Sequence, residues 1–320
     1  MPDVAALGGY LVGFAIMGVI YSMMALGLNI QWGYTGLFNI GIAGFFAVGA
    51  YTSALLTIPP AASEYVQYVG GLSLPFPGGL AGAVLFCGLL ALILGIPTLR
   101  LREDYLAIVT IGIAEILRQV LVTERWLANG TRGLIGIPQP LRPMVAPQAY
   151  DYLYLGLGAL VLALLFLASE RAIRSPWGRV LKAVREDEVA APAAGKEAFV
   201  LGSMVMGLGG ALFAHHVAAI TPDSFQPLFG TFLVWAMLLL GGSGNNKGAL
   251  LGAFLVWGIW SGTGFATDFL PPTLQAQAFY IRYLFIALLL EAVLLLRPQG
   301  VLGEERVVSL FLGKEKGPRK

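Results

Sequence analysis

Between positions 179 and 188 the sequence places Arg179, Lys182, Arg185, Glu186, Asp187 and Glu188, in a chain where only 12% of residues are charged. Such a cluster can dock on an anionic surface or on another protein, but it holds no nucleophile and no metal-binding spacing. Glu115 and Arg118, three apart, can pair an acid with a base on one helical face. His215 and His216 are neighbours, so they leave a helix in different directions and cannot share one metal as an i, i+4 pair does. A plain interfacial role is expected for them. The lone Cys87 can form neither an internal disulfide nor, by itself, a metal site. Gly195-Lys196 is followed by Glu197 and Gly313-Lys314 by Glu315, so neither continues into the Ser or Thr of a phosphate loop. The glycines between Gly207 and Phe213 follow no predicted strand, and no GxSxG or HExxH pattern occurs. The chain is expected to be no enzyme and to hold no metal or cofactor of its own.

The elements that position these residues are set by hydrophobicity. Of 320 residues, 57% are hydrophobic, and the charged share is half the roughly 25% of a soluble domain. No Asp, Glu, Lys or Arg occurs from Val4 to Ser63 or from Tyr65 to Leu99, and a span needs about 20 apolar residues. The pattern predicts an all-α polytopic membrane protein with nine spans, near 7–30, 41–58, 78–98, 104–124, 152–168, 198–218, 229–241, 249–265 and 279–296. Eight to ten spans fit the same profile, because 229–241 is short and 31–44 reads as broken or re-entrant. A transmembrane domain is expected over 1–296, including a cytoplasmic loop at 170–197, with a cytoplasmic tail at 297–320. The first residues lack the basic region of a cleaved signal and read as the start of span 1.

Lys and Arg set the orientation, since cytoplasmic loops carry their excess. With the amino terminus outside and nine alternating spans, 15 of the 20 basic residues fall on the cytoplasmic side. A net charge of +2 without a basic stripe gives no reason to expect nucleic acid. GxxxG spacing recurs at Gly9 and Gly13, Gly78 and Gly82, Gly248 and Gly252, and Gly258 and Gly262, which suits closely packed membrane helices of any function.

Four segments carry more information. After Ser175-Pro176, a cap and first-turn proline, Trp177, Val180, Leu181 and Val184 form the apolar stripe of a short amphipathic helix. Arg179, Lys182, Arg185 and Glu186 lie on its other face, and Pro192 should end or kink it near Ala191. Anionic lipid would accept the basic residues but repel Glu186, Asp187 and Glu188, so docking to a protein fits better. From Gly27 to Gly49, Asn29, Gln31 and Asn39 sit among glycines and aromatics that weaken a continuous helix. Unwound backbone at membrane depth must be buried in protein or line a cavity; it reads as part of a translocation path or as a short turn between spans. Glu115 and Arg118 in span 4 are either part of that path or a structural pair, and Glu291 is similarly open. Arg297-Pro298-Gln299-Gly300 reads as helix termination and surface anchoring.

The stretch GRVLKAVREDEVAAPAAGK resembles the cytoplasmic loop of LivM-type permeases of branched-chain amino acid ABC importers. In the same order follow family-like segments: Ala25 to Tyr51, Arg100 to Arg118, Asn129 to Pro138, Gly241 to Ala253 and Arg297 to Gly303, so the resemblance covers nearly the whole chain. It implies that Trp177 to Glu188 form a coupling helix seated in a groove of an ATPase. It further implies a homologous second permease, two ATPase subunits holding ATP and magnesium, an extracytoplasmic binding protein, and a bacterial inner-membrane location. Related permeases move urea, short amides or other amino acids, so substrate stays open within the superfamily. An ion-coupled secondary transporter is the rival of another class; it predicts inverted repeats with midplane ionisable pairs. One departure stands out: family members carry seven or eight further residues after the glycine at 195, whereas here GKEAFVLGS closes the gap directly.

Overall fold

The computed structural model describes residues 4–61, 66–99, 101, 103–147, 149–186, 192–268, 271, 277–296 and 299–304. The chain forms helices α1 (Val4–Leu28), α2 (Ile42–Thr57), α3 (Phe76–Thr98), α4 (Glu103–Thr123), α5 (Arg125–Ala128), α6 (Tyr150–Arg174), α7 (Pro176–Glu186), α8 (Pro192–Val217), α9 (Leu233–Gly241), α10 (Asn246–Asp268) and α11 (Ala278–Leu296). Each segment predicted to span coincides with a helix. Five stretches among the described residues are long and apolar enough to cross a membrane: Gly8–Gly33, Phe76–Thr98, Asp104–Thr123, Tyr150–Arg174 and Ala193–Val217. Ile42–Thr57 and Phe229–Gly241 are shorter apolar helices. This is an all-α, multi-pass membrane protein.

Burial separates centre from rim. The α1 and α8 spans are mostly buried inside the protein, whereas α3, α4 and α6 turn most of their surface outward. That outward surface carries Leu85, Phe86, Leu89, Ile93, Leu160 and Leu164, as lipid-facing helices require. Helix α2 packs on α8 and α3, α1 lies against α10, α8 and α6, and α11 covers α9 and α10. The one sheet among the described residues is a two-stranded clip, β1 (Leu134–Ile135) antiparallel to β2 (Ala219–Ile220).

Close helix approach does not follow the GxxxG spacing alone. An added Cβ would meet nothing within 4 Å at Gly9, Gly13 or Gly262. Gly248 and Gly252 do press on the backbone of Gly241 and Met237 in α9. An equally tight seam lies elsewhere, where Gly49 of α2 meets the Gly207 backbone of α8 and Gly210 meets that of Phe46. One expectation at a helix end is corrected: α8 is helical from Pro192, six residues before the predicted start at 198. Ala191, the expected end of α7, lies outside the described residues. His215, at the end of α8, is fully buried within the protein, its Nδ1 donating to the Pro138 carbonyl (2.7 Å) and its Nε2 accepting from the Ser53 hydroxyl (2.8 Å).

Gly210→Leu should therefore pry α2 from α8 and lower the thermal midpoint in detergent by about 5 °C or more. Gly112→Ala, where the added methyl meets nothing within 4 Å, should leave it unchanged or slightly raised.

Candidate functional site

Helix α1 does not end cleanly. Its last turn widens into a π-helical turn, Asn29–Gly33, helix ends after Thr35, and the chain then runs without helix from Gly36 to Gly41. Wide turns of this kind leave backbone groups without helical partners. Three side chains from the same segment tie it to its neighbours, and one of them takes a backbone amide of the segment itself. Asn39 accepts from the Gly41 amide (2.7 Å) and donates to Gln31 Oε1 (2.8 Å). Gln31 in turn donates to the Phe199 carbonyl (2.8 Å) and Ser203 Oγ (3.1 Å) of α8. Asn29 accepts from the Gly244 amide (2.8 Å) and donates to Asn246 Oδ1 (2.9 Å), and Asn246 donates to Glu170 of α6 (3.1 Å). All three are 0% exposed. The predicted path residues thus act as rivets between the break and α6, α8 and α10.

A second interruption faces the first. Leu228–Phe232 is also π-helical and leads into α9. Thr231 donates to the Ile40 carbonyl (3.2 Å) and accepts from the Ala43 amide (3.1 Å), while the Trp235 indole donates to the Asn39 carbonyl (3.1 Å). Thr110 of α4 takes the Ile40 amide (3.0 Å). Trp32, Phe38 and Trp235 close the junction as a three-ring knot with centroids 4.9 to 5.3 Å apart.

Glu115 and Arg118 do pair on α4, with three charge-assisted contacts of 2.5, 3.0 and 3.2 Å, and Asp223 stands 3.9 Å from the same guanidinium. They do not join the buried network. The Glu115 side chain is 47% exposed although it lies near the middle of the α4 span. A half-exposed ion pair at that depth is costly against lipid and suits water or a second subunit.

Helix α7 lies directly over the break. Ser175 Oγ accepts from the Trp177 amide (3.2 Å), the expected cap. Leu181 and Val184 pack with Ile30, Tyr34, Ala194 and Ala198, and the Trp177 indole donates to Glu197 of α8 (2.9 Å). Val180, expected in the apolar stripe, is instead exposed beside Arg179. The apolar stripe is narrower than its periodicity suggested, because only residues 177, 181 and 184 meet α1 and α8. Asp187 and Glu188 lie outside the described residues. Residues 192–197 form the first turns of α8, and Ala194 there packs with Leu181 and Val184 of α7.

Sequence reasoning missed Glu304. The residue receives Arg185 Nη2 (2.8 Å) and Lys182 Nζ (3.1 Å), and Arg185 Nη1 donates to the Gly33 carbonyl (2.7 Å). Partial burial pushes the Glu304 carboxyl up, but the hydrogen bonds and attraction of Arg185 and Lys182 outweigh it and hold the group below the usual carboxylate range. Ser203, Thr110, Thr231 and Asn246 were missed as well; isolated hydroxyls and amides in apolar runs look alike whether or not they are used.

The family profile described as a branched-chain amino acid transport system permease component matches residues 10–294. The chain belongs to this permease family. It is 34% identical over 275 residues to the LivM high-affinity branched-chain amino acid permease protein of Escherichia coli, covering 77% of this chain and 61% of that protein. The chain thus spans about three fifths of that relative's length. A probable LivM permease of Methanocaldococcus jannaschii is 25% identical over 321 residues, covering 91% of this chain and 92% of that one. The autoinducer 2 import permease LsrC of Klebsiella pneumoniae is 30% identical over 193 residues, 56% of this chain and 51% of that one. No solved structure matches the chain. In this permease α7 packs on the interrupted end of α1 through Leu181 and Val184.

Gln31→Ala should destabilise the permease by about 2–4 kcal/mol, through an opened cavity and an orphaned Asn39 amide, read as a lower unfolding midpoint in detergent. Glu115→Gln, at a half-exposed position, should cost under about 1 kcal/mol. The Glu304 contact should hold from pH 8 down to about 5 and be lost as pH falls through its depressed pKa, below the ordinary value near 4.3. Spin labels at Ala183→Cys and Val301→Cys would show this as a distance that lengthens only at the acid end.

Proposed function

We propose that this chain is a transmembrane permease subunit of a binding-protein-dependent ABC importer in a bacterial inner membrane, translocating the branched-chain amino acids leucine, isoleucine and valine. The observation that carries the reading is the seat of α7: an amphipathic helix that buries Leu181 and Val184 against the broken end of α1 and presents Arg179 and Val180 outward. A partner moving α7 would act directly on a helix interruption. Discontinuous helices are where membrane transporters build their substrate routes. By the positive-inside rule the α7 face is cytoplasmic, with nine crossings and the amino terminus outside.

On this reading ATP and magnesium are held by two ATPase subunits, a homologous second permease completes the route, and an extracytoplasmic binding protein delivers the solute. Alternating access follows from the ATPases drawing α7 together or apart. Glu115 and Arg118 face the second permease or the aqueous route between the two. The likeness to an autoinducer 2 import permease favours a second reading for substrate alone: the same subunit architecture with another small polar solute.

Isolation of the complex in mild detergent, with subunits counted by mass spectrometry, should recover one second permease and two ATPases per chain. A folded chain recovered alone or as a homo-oligomer would contradict the proposal. Val180→Asp, on the exposed face, should release the ATPases while leaving the thermal midpoint of the isolated chain unchanged. Leu181→Asp should instead unfold the α7 seat and lower that midpoint.

A further inference from the structure

Four residues past the Gly300 reversal, Glu304 is the point where three separate parts of the chain meet. Gly300 takes φ +72°, with the Gly242 backbone against it, which brings the tail back onto the end of α9. There the tail is stitched by backbone: the Val301 amide donates to the Leu240 carbonyl (2.8 Å) and the Leu302 amide to that of Gly241 (2.9 Å). Asn245, in the turn between α9 and α10, donates to the Gly303 carbonyl (3.1 Å). Glu304 therefore projects from a fixed base.

From that base it grips α7. One carboxylate oxygen receives Lys182 and the other Arg185, one turn apart on the same helix. Arg185 uses its second nitrogen on the Gly33 carbonyl, inside the π-helical turn. The ring closes through Gly244, which lies against the Glu304 carboxylate and donates to Asn29 at the start of that turn. The Glu304 side chain is 30% exposed, and its two cations are 34% and 37% exposed. Exposed single pairs contribute little, whereas a half-buried carboxylate sharing two cations fixes geometry.

We propose that Glu304 is a positioning residue for the coupling helix, locking α7 to the α1 break and the α9–α10 turn so that the three move as one unit. The idea rests on the reading of α7 as the element the ATPases move. A lock of this kind predicts a specific defect. Without it α7 moves while the break stays behind, so ATP is consumed with less solute carried. A residue that merely stabilised the tail would lower protein yield without changing that ratio.

The test has two arms. In the first, labels at Arg179→Cys and Lys247→Cys, which flank the cleft between α7 and α10, report their distance distribution in the Cys87→Ala chain in detergent. In the second, the whole complex in proteoliposomes reports solute transported per ATP hydrolysed. Glu304→Gln, and Glu304→Ala as the larger change, should broaden the distribution and lower the ratio at least five-fold. The charge exchange Glu304→Lys with Lys182→Glu should bring both back to within about two-fold of the unmodified protein. The proposal is overturned if either variant leaves both readouts within two-fold, or if the ratio falls while the distribution stays narrow. It is equally overturned if the charge exchange is no better than Glu304→Lys alone. Should the unmodified complex show no ATP-linked transport, the importer reading falls, and the distance arm alone still decides whether Glu304 locks α7.

Discussion

Backbone amides and carbonyls that leave a helix inside a membrane must find partners within the protein, because lipid offers none. The rest of this structure depends on that constraint. The chain widens α1 at Asn29–Gly33, leaves helix after Thr35 and does not resume it until Ile42. Each unmet group there would cost about 1–3 kcal/mol. Asn39 and Thr110 accept from the Gly41 and Ile40 amides, and Thr231, Trp235 and Arg185 donate to the Ile40, Asn39 and Gly33 carbonyls, while Asn29 and Gln31 anchor the segment to α8, α10 and the α9–α10 turn. An interruption that would otherwise be a weakness becomes the place where four helices are tied.

The proposed function turns on what lies over that place. α7 contributes two apolar side chains to the break and one guanidinium to its carbonyl, and its outward face is left for a partner. The facing interruption before α9 is joined to the first through Thr231 and Trp235. A push on α7 thus bears on two discontinuous helices at once, by contact and without a long relay. Packed interfaces of this kind switch between arrangements more readily than they bend. The half-exposed Glu115 and its partner Arg118 lie away from this network.

Much of the architecture was legible in the sequence because hydropathy is a property of long windows. All predicted spans coincide with helices, and the break near Asn29 and Asn39 was visible from polar residues inside an apolar run. The Ser175 cap and the Pro176 start were local signals and held. What escaped depended on partners distant in sequence. Val180 fits the helical stripe by spacing, yet α1 and α8 are not wide enough to cover it. His215 looked interfacial because it ends an apolar run, and only the fold brings Ser53 and Pro138 to its two nitrogens. GxxxG spacing marked Gly9 and Gly13, which touch nothing, and passed over Gly49 and Gly210, whose close neighbours are on another helix. Glu304 could not be found by any local pattern, since its meaning comes from Lys182 and Arg185 more than a hundred residues earlier.

The central claim is that the interruption in α1 is a fixed, internally bonded element. Hydrogen–deuterium exchange across residues 29–41, measured on the protein in lipid nanodiscs, tests it most directly. The account predicts protection close to that of the middle of α1, lost locally when Gln31 is replaced by alanine. Exchange as fast as in an exposed loop, with or without that substitution, would contradict it.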